Sequence, residues 1–293
     1  MGTLMNTAPA LARAQLSLDG LSVGDAFGEL YMSLYPRLSR ASSLPAGPWL
    51  WTDDTHMALS VVQTLRTCGR IDQDVLASAF ARRYKREPYR GYAGGAARLL
   101  HAIDAGADWR DVSPKLFGAG SYGNGAAMRA APIGGYYGGD PGRAAQEAQL
   151  SAVVTHWHPE GQAGAMAVAV AAAIAAGAAP PSGAEFVLQV STFLPASLTK
   201  DRVLEAVNIP PDQPVDAIRR LGTGQQVSAQ DTVPFCLWVA AHNVHDFKEA
   251  LWCTVEGMGD ADTTCAIVGG IVALSAQEIP ADWIARREPL PPL

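Results

Sequence analysis

Apolar residues recur with a helical period along almost the whole of this chain, and no other feature restricts its fold as much. After Asp54, the residues Met57, Leu59, Val61, Val62 and Leu65 share one helix face, and Val75, Leu76, Ala79, Phe80 and Tyr84 share another. The same period predicts helices over 94–103, 142–154, 160–178, 183–193, 215–221, 232–242, 246–256 and 262–275. Between them stand breakers such as Gly138-Gly139-Asp140-Pro141 and Ala179-Pro180-Pro181-Ser182. Alternating period-2 runs bounded by hairpin turns are missing, which argues against β and α/β folds. The expectation is a single all-α domain over 13–293, built from many short, crossing helices.

A chain of 293 residues, 48% hydrophobic and only 17% charged, buries a sizeable core and is neither disordered nor collagen-like nor a coiled coil. Its 22 basic residues against 28 acids give a net charge of −6. No global positive field draws it to nucleic acid or to an anionic membrane, so a phosphate-bearing ligand must be held locally. Cys68, Cys236, Cys253 and Cys265 form no C-x-x-C pair and read as reduced, buried thiols of a cytoplasmic protein. Residues 1–12 lack the cationic and unbroken apolar regions of a secretion signal and read as a frayed tail. The uncharged stretch 163–179 is Ala- and Gly-rich and slightly short for a membrane span, so it reads as a core helix.

Two acidic clusters open apolar helices. In Trp51-Thr52-Asp53-Asp54-Thr55 the adjacent carboxylates repel one another, and neither gains from burial without a positive partner such as a divalent cation. The alternative is capping, with Thr52 or Asp53 as N-cap and the remaining acid favoured by the helix dipole. In Gly259-Asp260-Ala261-Asp262-Thr263-Thr264, residues two apart would point to different faces of a helix. Asp260 and Asp262 therefore converge only in a loop or helix entrance, which Gly257 and Gly259 allow. Together the clusters offer about six hard oxygen ligands, suited to Mg²⁺, Mn²⁺ or Ca²⁺ and not to zinc. Jointly they favour a two-metal site over two coincident caps.

Between the clusters, Gly118-Ala119-Gly120-Ser121-Tyr122-Gly123-Asn124-Gly125 leads into Ala126-Ala127-Met128-Arg129. Alternating glycines free backbone N–H groups to line a concavity, and a helix directly after them would add its positive end, making an anion cradle suited to a diphosphate. The run is neither a P-loop nor a dinucleotide fingerprint, and a plain flexible turn is its alternative. Tyr122 suits either core packing or stacking on a base or ribose. In Thr155-His156-Trp157-His158, neither histidine has a Cys partner, so both read as hydrogen-bonding groups before a helix. His242 and His245, beside Asp246, read as an exposed helix end.

Thr52-Asp53-Asp54-Thr55, the run from Gly120 to Arg129, Thr155-His156 and Gly259-Asp260-Ala261-Asp262-Thr263 stand in the order of the ADP-ribosylglycohydrolase family, and Gly24-Asp25-Ala26-Phe27-Gly28 resembles its N-terminal G-D-A-x-G. The resemblance spans about residues 16–276. It implies an orthogonal helical bundle with a binuclear magnesium or manganese centre at helix N-termini. The implied reaction cleaves the glycosidic bond between ADP-ribose and an acceptor, a protein Arg or Ser side chain or a small molecule, and releases ADP-ribose. By matching positions, Thr52, Asp53 and Asp54 would serve one ion, and Asp260, Asp262 and Thr263 would complete the pair. Gly120, Ser121, Gly123, Asn124, Gly125 and Met128 would hold the diphosphate and adjacent ribose. Tyr122 would lie against the adenosine, and His156 would reach the phosphate or distal ribose.

Such a cleavage passes through an oxocarbenium-like state and needs no covalent nucleophile, in keeping with the absence of a G-x-S-x-G elbow. One position departs from the family. Many relatives carry Glu four residues after the second glycine of the opening motif, where this chain has Met32; an acid stands instead at Glu29. Three readings follow: Glu29 substitutes through a shifted loop, one of Asp53, Asp54, Asp260 or Asp262 is the general acid/base, or the chain binds ADP-ribose without turning it over. A two-metal nucleotide phosphohydrolase is the remaining alternative.

Overall fold

The helical period is realised in fifteen α-helices in a computed structural model that describes residues 8–293. In order these are α1 (Ala8–Leu34), α2 (Asp53–Cys68), α3 (Gln73–Arg86), α4 (Gly94–Asp104), α5 (Trp109–Val112), α6 (Ala131–Tyr136), α7 (Pro141–Val153) and α8 (Pro159–Ala175). There follow α9 (Gly183–Ser191), α10 (Leu198–Glu205), α11 (Pro214–Leu221), α12 (Ala229–His242), α13 (Phe247–Val255), α14 (Ala261–Ala276) and α15 (Ala281–Arg286). Among the described residues extended pairing is limited to two isolated bridges, Trp49 with Arg287 and Gly123 with Ser228. The fold is all-α.

Every helix expected from the apolar period is present, its ends shifted by no more than a turn. α1 is the main departure. It begins at Ala8, so residues 8–12, expected to fray, are helical; residues 1–7 lie outside the described residues. Its buried face carries Ser17, Gly20, Ser22, Gly24, Asp25 and Gly28 among the apolar residues. Val75, assigned to the buried face of α3, is 38% exposed, while Leu76, Ala79 and Phe80 are buried as expected.

Glycine spacing explains how α1 is held. Gly20, Gly24 and Gly28 recur every four residues and so form one stripe along the helix. They meet Gly269 and Ala273, Cys265, and Ala261 of α14 in turn, an antiparallel register. A Cβ at Gly24 would lie 2.0 Å from the Cys265 carbonyl oxygen, and one at Gly28 would lie 2.2 Å from that of Ala261. Only bare backbone permits this approach. α8, with Ala163, Ala165, Ala167, Ala169 and Ala171 buried, lies in the same core, and no helix among the described residues is long and apolar enough to cross a membrane.

The two acidic clusters stand where expected, at the N-termini of α2 and α14. Thr52 is the N-cap of α2, accepting from the Asp54 N–H, and Asp260 is the N-cap residue of α14 without a capping bond of its own side chain. Gly24→Ala is expected to lower unfolding stability by about 3 kcal/mol or more, because the contact is backbone against backbone and neither helix can yield locally. Gly94→Ala, where the added carbon would meet its nearest neighbour at 3.8 Å, should change it little. Chemical denaturation of the two variants checks the difference.

Candidate active site

A cavity of about 450 Å³ opens where the N-termini of α2 and α14 approach the loop that precedes α6. Asp53 and Asp54 line it from the early cluster, and Asp260, Asp262 and Thr263 from the late one. Ser121, Tyr122, Gly123, Asn124, Gly125, Met128 and His156 complete the expected set along its wall. Three expected residues do not line it. Thr52 is occupied in capping, with its hydroxyl 2.9 Å from Asp25 Oδ1 and 3.0 Å from Asp54 Oδ2. Gly120, at φ +88°, backs onto Trp157 and His158. Glu29 lies exposed on α1, near enough to Asp262 for that charge, after partial burial, to raise its pKa.

Asp25 is the residue the motif analysis named but left without a role. It is fully buried and accepts from the backbone N–H groups of Thr52 and Thr55, both at 3.0 Å, and from both threonine hydroxyls. One carboxylate on α1 thus fixes the first turn of α2. The signal for it was present: a lone acid within the otherwise uncharged stretch 21–28, flanked by glycines that announce a close helix contact.

Burial and mutual repulsion raise the pKa of every acid here for which a shift is resolved. Burial first, then the charge of Asp262, lifts Asp25 to about 7. Burial with Asp25 and Asp262 lifts Asp53 to about 8, and burial with Asp262 lifts Asp260 to about 7 against the Asn124 hydrogen bond. Asp54 is raised well above its ordinary value by burial and by four neighbouring carboxylates, Asp262 foremost. Its Oδ1 is buried without a hydrogen-bond partner among the described residues. Among the described residues none of these acids forms an ion pair, nor do three Asp, Glu, His or Cys side chains already close around one metal-sized point.

The glycine-rich loop is tied to the late acids. Asn124 donates through Nδ2 to Asp260 Oδ2 at 2.7 Å and to Thr232 Oγ1 at 3.1 Å, and its N–H bonds to the Val227 carbonyl at 3.3 Å. The N–H groups of Ser121 and Tyr122 make no hydrogen bond within the described residues and remain free for an anion. The helix expected directly after the run is absent: one 3₁₀ turn, Asn124–Ala126, follows, and α6 starts only at Ala131. The cradle is therefore a loop without a helix dipole behind it.

Tyr122 is 49% exposed, so it is no core residue, and it meets His158 edge-on at 5.5 Å between ring centroids. At the mouth, Phe117 and Val227 adopt φ +55° and +53° with their side chains largely exposed. Left-handed backbone costs such residues of order 1–3 kcal/mol. His156 is buried, and burial followed by the charge of Arg129 lowers its pKa to about 3, so it is neutral. All four cysteines are free; Cys236 and Cys265 are buried as expected, whereas Cys68 and Cys253 are half-buried.

Comparison with known proteins gives a consistent result. The model of the family described as ADP-ribosylglycohydrolase matches residues 6–290. The chain is 29% identical to an uncharacterised protein of Archaeoglobus fulgidus over 90% of its own length and 88% of the other. It is 33% identical to human ADP-ribosylhydrolase ARH3 over 57% of its length, spanning 51% of that protein. With the ADP-ribosyl-[dinitrogen reductase] glycohydrolase of Rhodospirillum rubrum it shares 24% identity over 91% of its length and 87% of the other. A solved structure titled an ADP-ribosylglycohydrolase-related protein complex has the same fold, with a TM-score of 0.59 at 22% identity, covering 96% of this chain and 93% of that one. The chain belongs to the ADP-ribosylglycohydrolase family.

Proposed function

We propose that the chain hydrolyses the glycosidic bond joining ADP-ribose to an acceptor, an Arg or Ser side chain of a protein or a small molecule, with a pair of Mg²⁺ or Mn²⁺ ions, and that it does so in the cytoplasm. The observation that carries this reading is one cavity lined by acids from both ends of the chain and by a loop with free N–H groups. Four free cysteines accord with a reducing compartment.

The donor set suits two hard cations. Carboxylate and hydroxyl oxygens predominate, Asp54 Oδ1 lacks a partner among the described residues, and the raised pKa values mark carboxylates whose charged forms no ion pair among those residues balances. Among the described residues no three of these side chains close around one point, and a bound cation would offset the repulsion that keeps such carboxylates apart. Asp53, Asp54, Asp260, Asp262 and Thr263 would hold the ions. When bound, these supply Lewis acidity toward the ribose hydroxyls and the attacking water.

The chain's own groups would do the rest. Asp25, through Thr52 and Thr55, keeps the first turn of α2 in place. The Ser121 and Tyr122 N–H groups would bind the diphosphate, with Tyr122 against the adenosine. His156 would donate to the phosphate or distal ribose. One of the aspartates would take a proton from water as the water oxygen bonds to the anomeric carbon, and would return that proton to the acceptor as the bond between acceptor and anomeric carbon breaks. A second reading, an ADP-ribose binder without turnover, draws on Met32 at the position of the expected Glu and on Glu29 standing outside the cavity.

Incubation with Mg²⁺ and peptides ADP-ribosylated on Arg or Ser separates the readings. Free ADP-ribose is the expected product; tight ADP-ribose binding without release would identify a binder, and AMP or inorganic phosphate a phosphohydrolase. Asp53→Ala or Asp262→Ala should cut turnover at least about a hundredfold with helical circular dichroism unchanged. Unaltered turnover in either variant would refute the metal assignment.

The acids also predict a pH dependence for protein stripped of divalent ions. Asp25, Asp53 and Asp260 hold protons more tightly folded than unfolded, so their protonation favours the folded state. That contribution is full below about pH 4 and is lost as pH rises to about 8. The thermal midpoint of the stripped protein should therefore fall between pH 5 and pH 8 by more than that of a sample saturated with Mg²⁺.

A further inference from the structure

Arg129 is a cation with 0% exposure that forms no ion pair among the described residues, although the charge of Asp53 reaches it. Its Nη1 donates to the Gly125 carbonyl at 2.8 Å, its Nη2 donates to the Ser151 carbonyl at 3.1 Å and to Thr155 Oγ1 at 2.8 Å, and its guanidinium lies 4.5 Å from the centre of the Phe80 ring. Its Nε has no hydrogen-bond partner among the described residues. A buried, unpaired charge costs several kcal/mol relative to an apolar side chain of similar volume. Its three oxygen partners include the floor of the glycine-rich loop and the residue beside His156, so it braces the cavity wall from behind.

The hydrogen bonds beyond Arg129 have a fixed direction. A guanidinium only donates, so Thr155 Oγ1 accepts from it. The Thr155 hydroxyl proton then needs an acceptor, and Thr155, although it touches the cavity wall, is only 2% exposed. Among the described residues its one remaining partner is His156 Nδ1, 2.7 Å away. Thr155 therefore donates to Nδ1, and the single proton of the neutral ring resides on Nε2. Nε2 stands over the glycine-rich loop: a Cβ at Gly125 would approach it to 3.1 Å and one at Gly123 to 3.4 Å.

We propose that Arg129 and Thr155 are positioning residues that lock His156 in its Nε2–H tautomer, so that the cavity presents a neutral, fixed N–H donor to an anionic oxygen of the ligand. Burial keeps the ring uncharged throughout the neutral range, and so the donor does not switch off as pH rises. The identity of the ligand as ADP-ribose rests on the function proposed above; the tautomer does not. Glycine at 123 and 125 also gains a reason, since a side chain at either would crowd the donor nitrogen.

Nitrogen-15 NMR of the full chain without ligand reads the tautomer directly, the His156 signals being identified by their loss in His156→Gln. The wild-type ring is expected to show a protonated Nε2 and an unprotonated Nδ1. Thr155→Val, which keeps the shape and removes the hydroxyl, should populate the Nδ1–H form and raise the Kd of ADP-ribose in Mg²⁺ about tenfold or more. Thr155→Ser should restore both. Arg129→Lys, too short-armed to join the Gly125 carbonyl to Thr155, should weaken ADP-ribose comparably; if it fails to fold, the two Thr155 variants still decide. A wild-type Nδ1–H ring, or a Thr155→Val protein with unchanged tautomer and Kd, overturns the proposal. Should the spectra follow the expected pattern while wild type binds no ADP-ribose, the functional reading fails and the positioning assignment stands.

Discussion

The direct contact of backbone on backbone between α1 and α14 is the constraint from which the rest of the site follows. Three glycines spaced by four let the helices approach until carbonyl oxygens of one touch the bare α-carbons of the other. Asp25 lies one residue after Gly24, and Asp262 one residue after Ala261, the residue that faces Gly28. The packing of the helices therefore sets how far apart these two charges stand. Asp25 in turn fixes the first turn of α2, so the early acids inherit their placement from the same contact.

Such an arrangement runs against folding. Mutually repelling carboxylates with raised pKa values, a buried oxygen without a partner, a buried unpaired guanidinium and two non-glycine residues in left-handed backbone all cluster around one cavity. Each has a cost that the apolar packing of α8, α12 and α14 must outweigh. Concentration of so many unfavourable terms in one place is what a binding site looks like when its ligand supplies the missing counter-charge.

Much of this was legible in the sequence where a local period or a short motif governed the outcome. Helices with a clear apolar face were placed within a turn, and both acidic clusters were expected at helix starts, where they stand. α1 was not legible, because its glycines and polar residues blur the apolar period and acquire meaning only against α14, far away in the chain. The roles of Asp25 and Thr155 were hidden for a related reason: each acts through hydrogen bonds to another side chain. Thr52 was read both as cap and as metal ligand, and its hydroxyl is occupied by the first task. The helix expected directly after the glycine run is replaced by one 3₁₀ turn, and the glycines at 123 and 125 lie close against His156 instead.

Asn124 joins what look like two separate halves of the cavity. Its side-chain amide holds Asp260 while its own backbone belongs to the glycine-rich loop, so one residue ties the acidic end to the loop and fixes the distance between them. A cavity built in this way would work as a caliper. In the function proposed above it would gauge the span between a sugar and a phosphate group as well as the chemistry of each, so that a molecule with a longer or shorter bridge would seat one end only by giving up the other.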